Sequence, residues 1–413
     1  MKTAYTNARI IDPAANHDTI GTLIVSGNLI EGYGADIDTS DVSETINCGG
    51  KILCPGFIDM RAHAVDAESA LAGGITTIIL QPDQTTTIET DAVVERIRHR
   101  SVDSQIVSVY PMGTATQGMK GQQIAEIGQM QQSGAVGFTD CNHAVADAQV
   151  MRRLLEYANH FDALIVQYAE NAELGADAVA HEGEIATRLG LASVPSAAEA
   201  MQIDRDARLA ELTGARLHFA LISSKDGIDA VRAAKARGAK VTCSTAPHYL
   251  HLNDNAVEGY RTFAKVRPPL RSEEDRLALI EAVADGTIDT LVSDHSPKSV
   301  DVKRLPFAQA ASGIVGFETL LALSLAPVHA GKISLMTMLK ALTVNPAKLL
   351  GLPTGTLAPG SFADFVVFDP NKPWRIDADA FISSAKNTPF DTLPVQGQVL
   401  RTVADGVSVY ERA

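Results

Sequence analysis

The sequence has no block rich in lysine or arginine, and its formal net charge is −14. Phosphate binding needs a concentrated basic face, so nucleic acid is excluded as an expected partner. The charge by itself supports only solubility. Cysteine is scarce: Cys48, Cys54, Cys141 and Cys243 show no CxxC spacing and no dense framework. In a chain of 413 residues that reads as reduced thiols in the cytosol. The first twenty residues carry Asp12, His17 and Asp18 and lack an apolar core, which argues against a signal peptide. Long apolar runs are missing too, since the longest, near 320–330, is about half a membrane span. These absences predict a cytoplasmic protein with no membrane partner.

What is present is ordinary globular material, 46% hydrophobic and 20% charged, in a chain ample for a large buried core. Both ends read as short strands. TLIVSGNLIEGY (22–33) is two apolar runs around Ser-Gly-Asn, and near the other end Asp405-Gly406 lies between two alternating runs. ADFVVF (363–368) is a buried-strand run. The expectation is one small composite β-sandwich built from 1–51 and 355–413, flanking a different middle at 52–354.

In that middle, strand and helix patterns alternate. Eight candidate strands fall at 57–63, 75–80, 106–112, 135–140, 163–169, 216–223, 240–247 and 288–295. Most precede a segment with 3.6-residue apolar spacing, such as VMRRLLEYANHF, GIDAVRAAKARG or EDRLALIEAVADG, and several of these end at glycine, as at Gly238 and Gly286. Eight strands with helical crossovers predict an α/β fold, the (β/α)₈ TIM barrel. A doubly wound open sheet is the alternative, but no glycine-rich nucleotide fingerprint supports it: Gly73-Gly74 precedes a strand instead of following one. Barrel sites lie at the C-terminal strand ends. There the sequence places Arg61 and His63, two apart and so on one side of the first strand. It also places Asp140 and Cys141, Gln167, Leu221, His248, and Asp294 with His295.

Those strand ends carry a resemblance. PGFIDMRAH (55–63) is similar to the PGxIDxHxH opening of the cyclic amidohydrolases. APHYL resembles TPHHL, KVRPPLR resembles KVNPPLR, and VSDHSPKS resembles ATDHAPH; SGIVGFET, NPAKLLGL and KNTPFD match the later dihydroorotase segments almost letter for letter. The likeness to the dihydroorotase family spans roughly 1–413. It implies the barrel, and a zinc hydrolase that opens and closes a dihydropyrimidine ring in pyrimidine synthesis.

Measured against that family, several positions depart. Arg61 stands for the first histidine of HxH, Gln167 for the strand-five histidine and Leu221 for the strand-six histidine. His63, Asp294 and Asp140 remain as remnant ligand positions, with Asp140 and Cys141 both open as the residue facing the former metal. A catalytic zinc wants about three protein ligands and an open position. A guanidinium beside that position repels a dication and fills its volume. Arg61 is therefore expected to bond Asp294 or Asp140. Val65 stands where the family has a carboxylate-gripping arginine, Asp83 replaces an asparagine, and Arg267 replaces another polar contact. The loop after His63 is also short, with nine residues before Gly73.

The expectation on these grounds is a chain that is not an enzyme and needs no cofactor. Arg61, His63, Asp140, Gln167, Leu221, His248, Arg267 and Asp294 would line a vestigial pocket. Inactive dihydroorotase-like chains accompany aspartate carbamoyltransferase, so the resemblance implies that transferase as partner, in homo- and hetero-oligomers. Two alternatives stand beside it: an active zinc-dependent dihydroorotase with an altered metal site, and a sensor binding an anion through Arg61 and Arg267. His63, His248, His218 and His295 read more readily as interior histidines than as ligands, His143 and His181 as loop residues facing solvent, and Cys141 as a buried or partly exposed free thiol.

Overall fold

The computed structural model describes residues 2–104 and 107–412. Residue 106 of the expected third strand, and residues 1 and 413 of the expected composite domain, lie outside them. All eight expected barrel strands are present: Phe57–Ala62, Ile75–Leu80, Ser108–Pro111, Phe138–Thr139, Leu164–Tyr168, Arg216–Ala220, Val241–Thr245 and Thr290–Leu291. They are called strands one to eight below. Strands one to three form one parallel sheet and four to eight another. Two parallel bridges close the ring, Gly113 to Phe138 between the third and fourth strands and Ala62 to His295 between the eighth and first. The second is sealed by the His63 N–H donating to the His295 carbonyl at 2.9 Å. The molecule is a (β/α)₈ barrel.

The helices form where apolar spacing and capping agree. In Ala148–His160 the buried residues Met151, Leu154, Leu155 and Ala158 repeat at helical intervals on one face. Asp147 begins it by accepting from the N–H groups of Gln149 and Val150. Lys225–Ala236 starts at Ser224, and Glu273–Ala284 at a capping box in which Ser272 and Asp275 satisfy each other's backbone. Each such cap is worth about 1 kcal/mol, so these boundaries are legible from sequence.

Strands from both termini pair in one continuous eight-stranded sheet beside the barrel, where the sequence reading has a composite β-sandwich. It has its own small core around Tyr5, Leu23, Leu53, Phe365 and Val403. The hairpin read at 22–33 joins His17–Ser26 to Leu29–Gly34, and the Asp405-Gly406 turn joins Pro394–Ala404 to Val407–Glu411. Asp405 and Gly406 have φ of 49° and 77°, the left-handed pair a tight hairpin needs. The two turns pack on each other: a side chain at Gly406 would stand 2.1 Å from the Gly27 carbonyl oxygen, so only glycine fits.

Candidate functional site

The short second half of the first strand sends Arg61 and His63 to the same side, at the C-terminal mouth of the barrel. Arg61 is only 2% exposed, and all three of its nitrogens are occupied. Its Nε donates to Asp294 Oδ1 at 3.0 Å, Nη1 to Gln81 Oε1 at 3.4 Å and Nη2 to Asn142 Oδ1 at 2.6 Å. Of its two expected partners it therefore meets Asp294, at the end of the eighth strand. His63 lies between two carboxylates, with Nδ1 2.6 Å from Asp83 Oδ2 and Nε2 3.7 Å from Asp294 Oδ1.

The charges in this cluster sustain one another. Burial opposes charge on Asp294, yet His63 and Arg61 outweigh it and hold the carboxyl below its ordinary range. Burial likewise opposes the His63 imidazolium, but Asp294 and Asp83 raise its pKa above the usual 6.5. Asp83 is lowered against its own burial, chiefly by His63. The result is two basic and two acidic groups that favour one another's charged forms, with Arg61, His63 and Asp294 buried and Asp83 at the exposed rim. Asp83, within a QPDQ segment, is read from the sequence as replacing an asparagine, and its pairing with His63 is not legible there. Gln81 and Asn142 were missed altogether, because neutral amides at strand ends carry no distinctive spacing.

The other expected members are arranged differently. Asp140 accepts from the backbone N–H groups of Ala115 and Thr116 (3.1 and 2.9 Å) and from the Thr116 hydroxyl. Cys141, 2% exposed, is the residue whose charge interactions are with Asp83 and Arg61. Gln167 is tied backward into the helix Ala197–Thr213, donating to Asp206 at 2.9 Å while accepting from the Val145 N–H. Leu221 is buried among core residues. His248 is fully buried near Asp294, its Nε2 without a partner among the described residues, and burial lowers its pKa to about 4. Arg267 lies over the Tyr168 ring and bonds Glu170 at 2.7 Å. Both arginines of the proposed anion sensor thus already have carboxylate partners.

Three strand ends share a backbone feature. Cys141, Leu221 and Asp294, just past the fourth, sixth and eighth strands, have φ of 57°, 52° and 52°. Left-handed backbone at residues with a Cβ costs about 1 kcal/mol or more each and collects at functional sites.

The strained strand ends and converging polar groups lie at the C-terminal mouth of the barrel, the end at which sites of TIM-barrel proteins are built. A family model described as the amidohydrolase family matches residues 52–409. The dihydroorotase of Syntrophotalea carbinolica is 40% identical, covering 99% of each chain. That of Geobacter metallireducens is 40% identical over 100% of both, and that of Anaplasma phagocytophilum 39% over 98% of this chain and 95% of its own. Among solved structures, the L-hydantoinase (dihydropyrimidinase) of Arthrobacter aurescens superposes with a TM-score of 0.87 at 28% identity, covering 100% of this chain and 96% of that one. The chain belongs to the amidohydrolase family, on its dihydroorotase branch.

Two expectations are corrected by this finding. Full-length relatives at about 40% identity bear the name of an enzyme, which overturns the reading of the chain as not an enzyme. The expectation of no cofactor falls with it, because dihydroorotases are metal-dependent as a type. The donor set at this mouth still does not fit a zinc pair. Among the described residues no three His, Cys, Asp or Glu side chains are placed to hold a metal ion together, and Asp294 Oδ1 is already taken by Arg61. Among the described residues no helix is long and apolar enough to cross a membrane.

Proposed function

We propose that the chain works at the dihydroorotase step of pyrimidine synthesis, as a cyclic amidohydrolase with its centre rebuilt around Arg61. The carrying observation is the placement of Asp294 Oδ1 3.7 Å from His63 Nε2 at the mouth of the barrel, with the carboxyl held below its ordinary range and the imidazole above its own. Hydrolysis of a ring amide needs an acceptor for the proton of the attacking water and a donor for the departing nitrogen. Asp294 and His63 supply one of each. The left-handed strand ends and the dihydroorotase relatives support the same reading.

The test is a dihydroorotase assay in both directions on protein purified without chelators, with and without added zinc. Turnover that is lost in Asp294→Asn is the expected result. A folded protein with no turnover under any of these conditions overturns the proposal.

A second reading is favoured by the side chains that stand at former ligand positions, a guanidinium, an amide and an aliphatic group. On this reading the chain assembles with the catalytic chain of aspartate carbamoyltransferase, in homo- and hetero-oligomers, and supports it. Co-expression should then yield a stable complex at defined stoichiometry. A transferase that assembles fully and is equally active without this chain would sink it.

A further inference from the structure

The segment 297–313 leaves the eighth strand directly behind Asp294 and His295 and returns with its feet joined. The Ser296 N–H donates to the Ile314 carbonyl at 2.7 Å. The Asn387 amide donates to the carbonyls of both Ser296 and Gly313, at 3.1 and 3.0 Å. Loops of this shape are compact because their own side chains fill them. Here two lysines do the holding. Lys303 Nζ donates to the carbonyls of Lys265, Ala311 and Gly313 at 3.3, 3.0 and 3.1 Å. Lys265 Nζ donates in the other direction, to the carbonyls of Phe307, Ala308 and Ala310 at 2.7, 3.1 and 2.8 Å. Each ammonium reaches into the other's segment. Both residues are buried, and no carboxylate is among the partners of either ammonium.

We propose that this loop is a strap whose grip on the barrel mouth tightens when Lys303 gives up its proton beside Lys265. Two like charges in one dry knot repel each other, and carbonyl dipoles replace only part of the water each has lost. The other charges around the knot do not relieve this. Lys298, at the loop's start, is a third cation acting on Lys303, while Asp301 and Arg304 on the loop's own helical turn are exposed. Burial, then Lys265 and Lys298, push Lys303 down to about 8, and burial lowers Lys265 as well.

The direction follows from linkage. With the loop open, Lys303 stands in water with its ordinary value of 10.5 and holds its proton more tightly than when strapped. Raising the pH above about 8 therefore favours the strapped form, by up to about tenfold per unit until the open form also deprotonates. Below that range both forms are protonated, and their balance is flat.

Amide hydrogen exchange from pH 7 to 10, corrected for base catalysis, tests this on the whole chain. Protection of the 299–313 amides should climb above pH 8 by up to about tenfold per unit, while barrel-strand amides show no such rise. Lys303→Arg keeps its charge throughout and should flatten the climb. Should that variant fail to fold, the profile of the unmodified protein still decides. Loop protection that is flat or falls over this range overturns the proposal, as does a climb that persists in Lys303→Arg.

Discussion

Replacing Arg61 by methionine removes the cation from the buried knot and leaves a carboxylate behind. Arg61 is 2% exposed, and the Asp294 side chain 7% exposed, so solvent screens little of their 3.0 Å contact. Breaking a buried pair by deleting one partner costs about 3–5 kcal/mol, because the other charge stays in place without compensation. The unfolding entropy of about 2.1 cal/mol/K per residue, taken over the chain, gives ~0.9 kcal/mol per degree. Arg61→Met should therefore lower Tm by about 3–6 °C. His63 still faces Asp294 from 3.7 Å, which places the cost toward the lower end. In Arg61→Met/Asp294→Asn the stranded charge is gone as well, and much of the loss should return. Differential scanning calorimetry on the two single variants and the double variant measures the coupling. A single substitution costing under about 1 kcal/mol, or a double variant whose loss equals the sum of the two, would refute the idea that the mouth is held by mutual neutralisation.

Acid sensitivity should come in part from His218, whose Nδ1 lies 2.8 Å from the Thr242 hydroxyl and whose pKa burial lowers to about 3. Because the folded value lies below the unfolded one, the stability is fully present above about pH 6.5 and is lost as pH falls toward 3. His218→Gln should flatten the stability profile between pH 6 and 4 by up to about 1.4 kcal/mol per unit; an unchanged slope in denaturant titrations would contradict this. All four cysteines are buried and unpaired by disulfide, with Cys48 raised to about 11 and Cys54 and Cys141 well above their usual range. Iodoacetamide at pH 8 should label the native protein at well under one equivalent and the denatured chain at four, read by mass spectrometry. Rapid native labelling of Cys141 would show that the mouth opens.

The sequence by itself determined the barrel. Period-2 and period-3.6 apolar patterns, helix caps such as Ser272 with Asp275, and the Asp405-Gly406 turn are all local signals, and local signals survive without coordinates. It also determined that Arg61, His63 and Asp294 belong to one site, because position along a barrel strand dictates which end of the barrel a side chain reaches. What only the tertiary structure decided is where each polar group spends its hydrogen bonds. Asp140 and Cys141 are adjacent in sequence, yet a left-handed turn at Cys141 sends the carboxylate to Thr116 and the thiol toward Asp83. Gln167 reaches back to Asp206 across 39 positions of chain, and Lys303 to the carbonyl of Lys265 across 38. No short-range pattern encodes such partners, because a buried hydrogen bond is fixed by distances that exist only once the strands have closed. The same reason explains why reading ligands one by one misjudged the enzyme question: single substitutions are visible in sequence, whereas the frame that they sit in is a property of the whole chain.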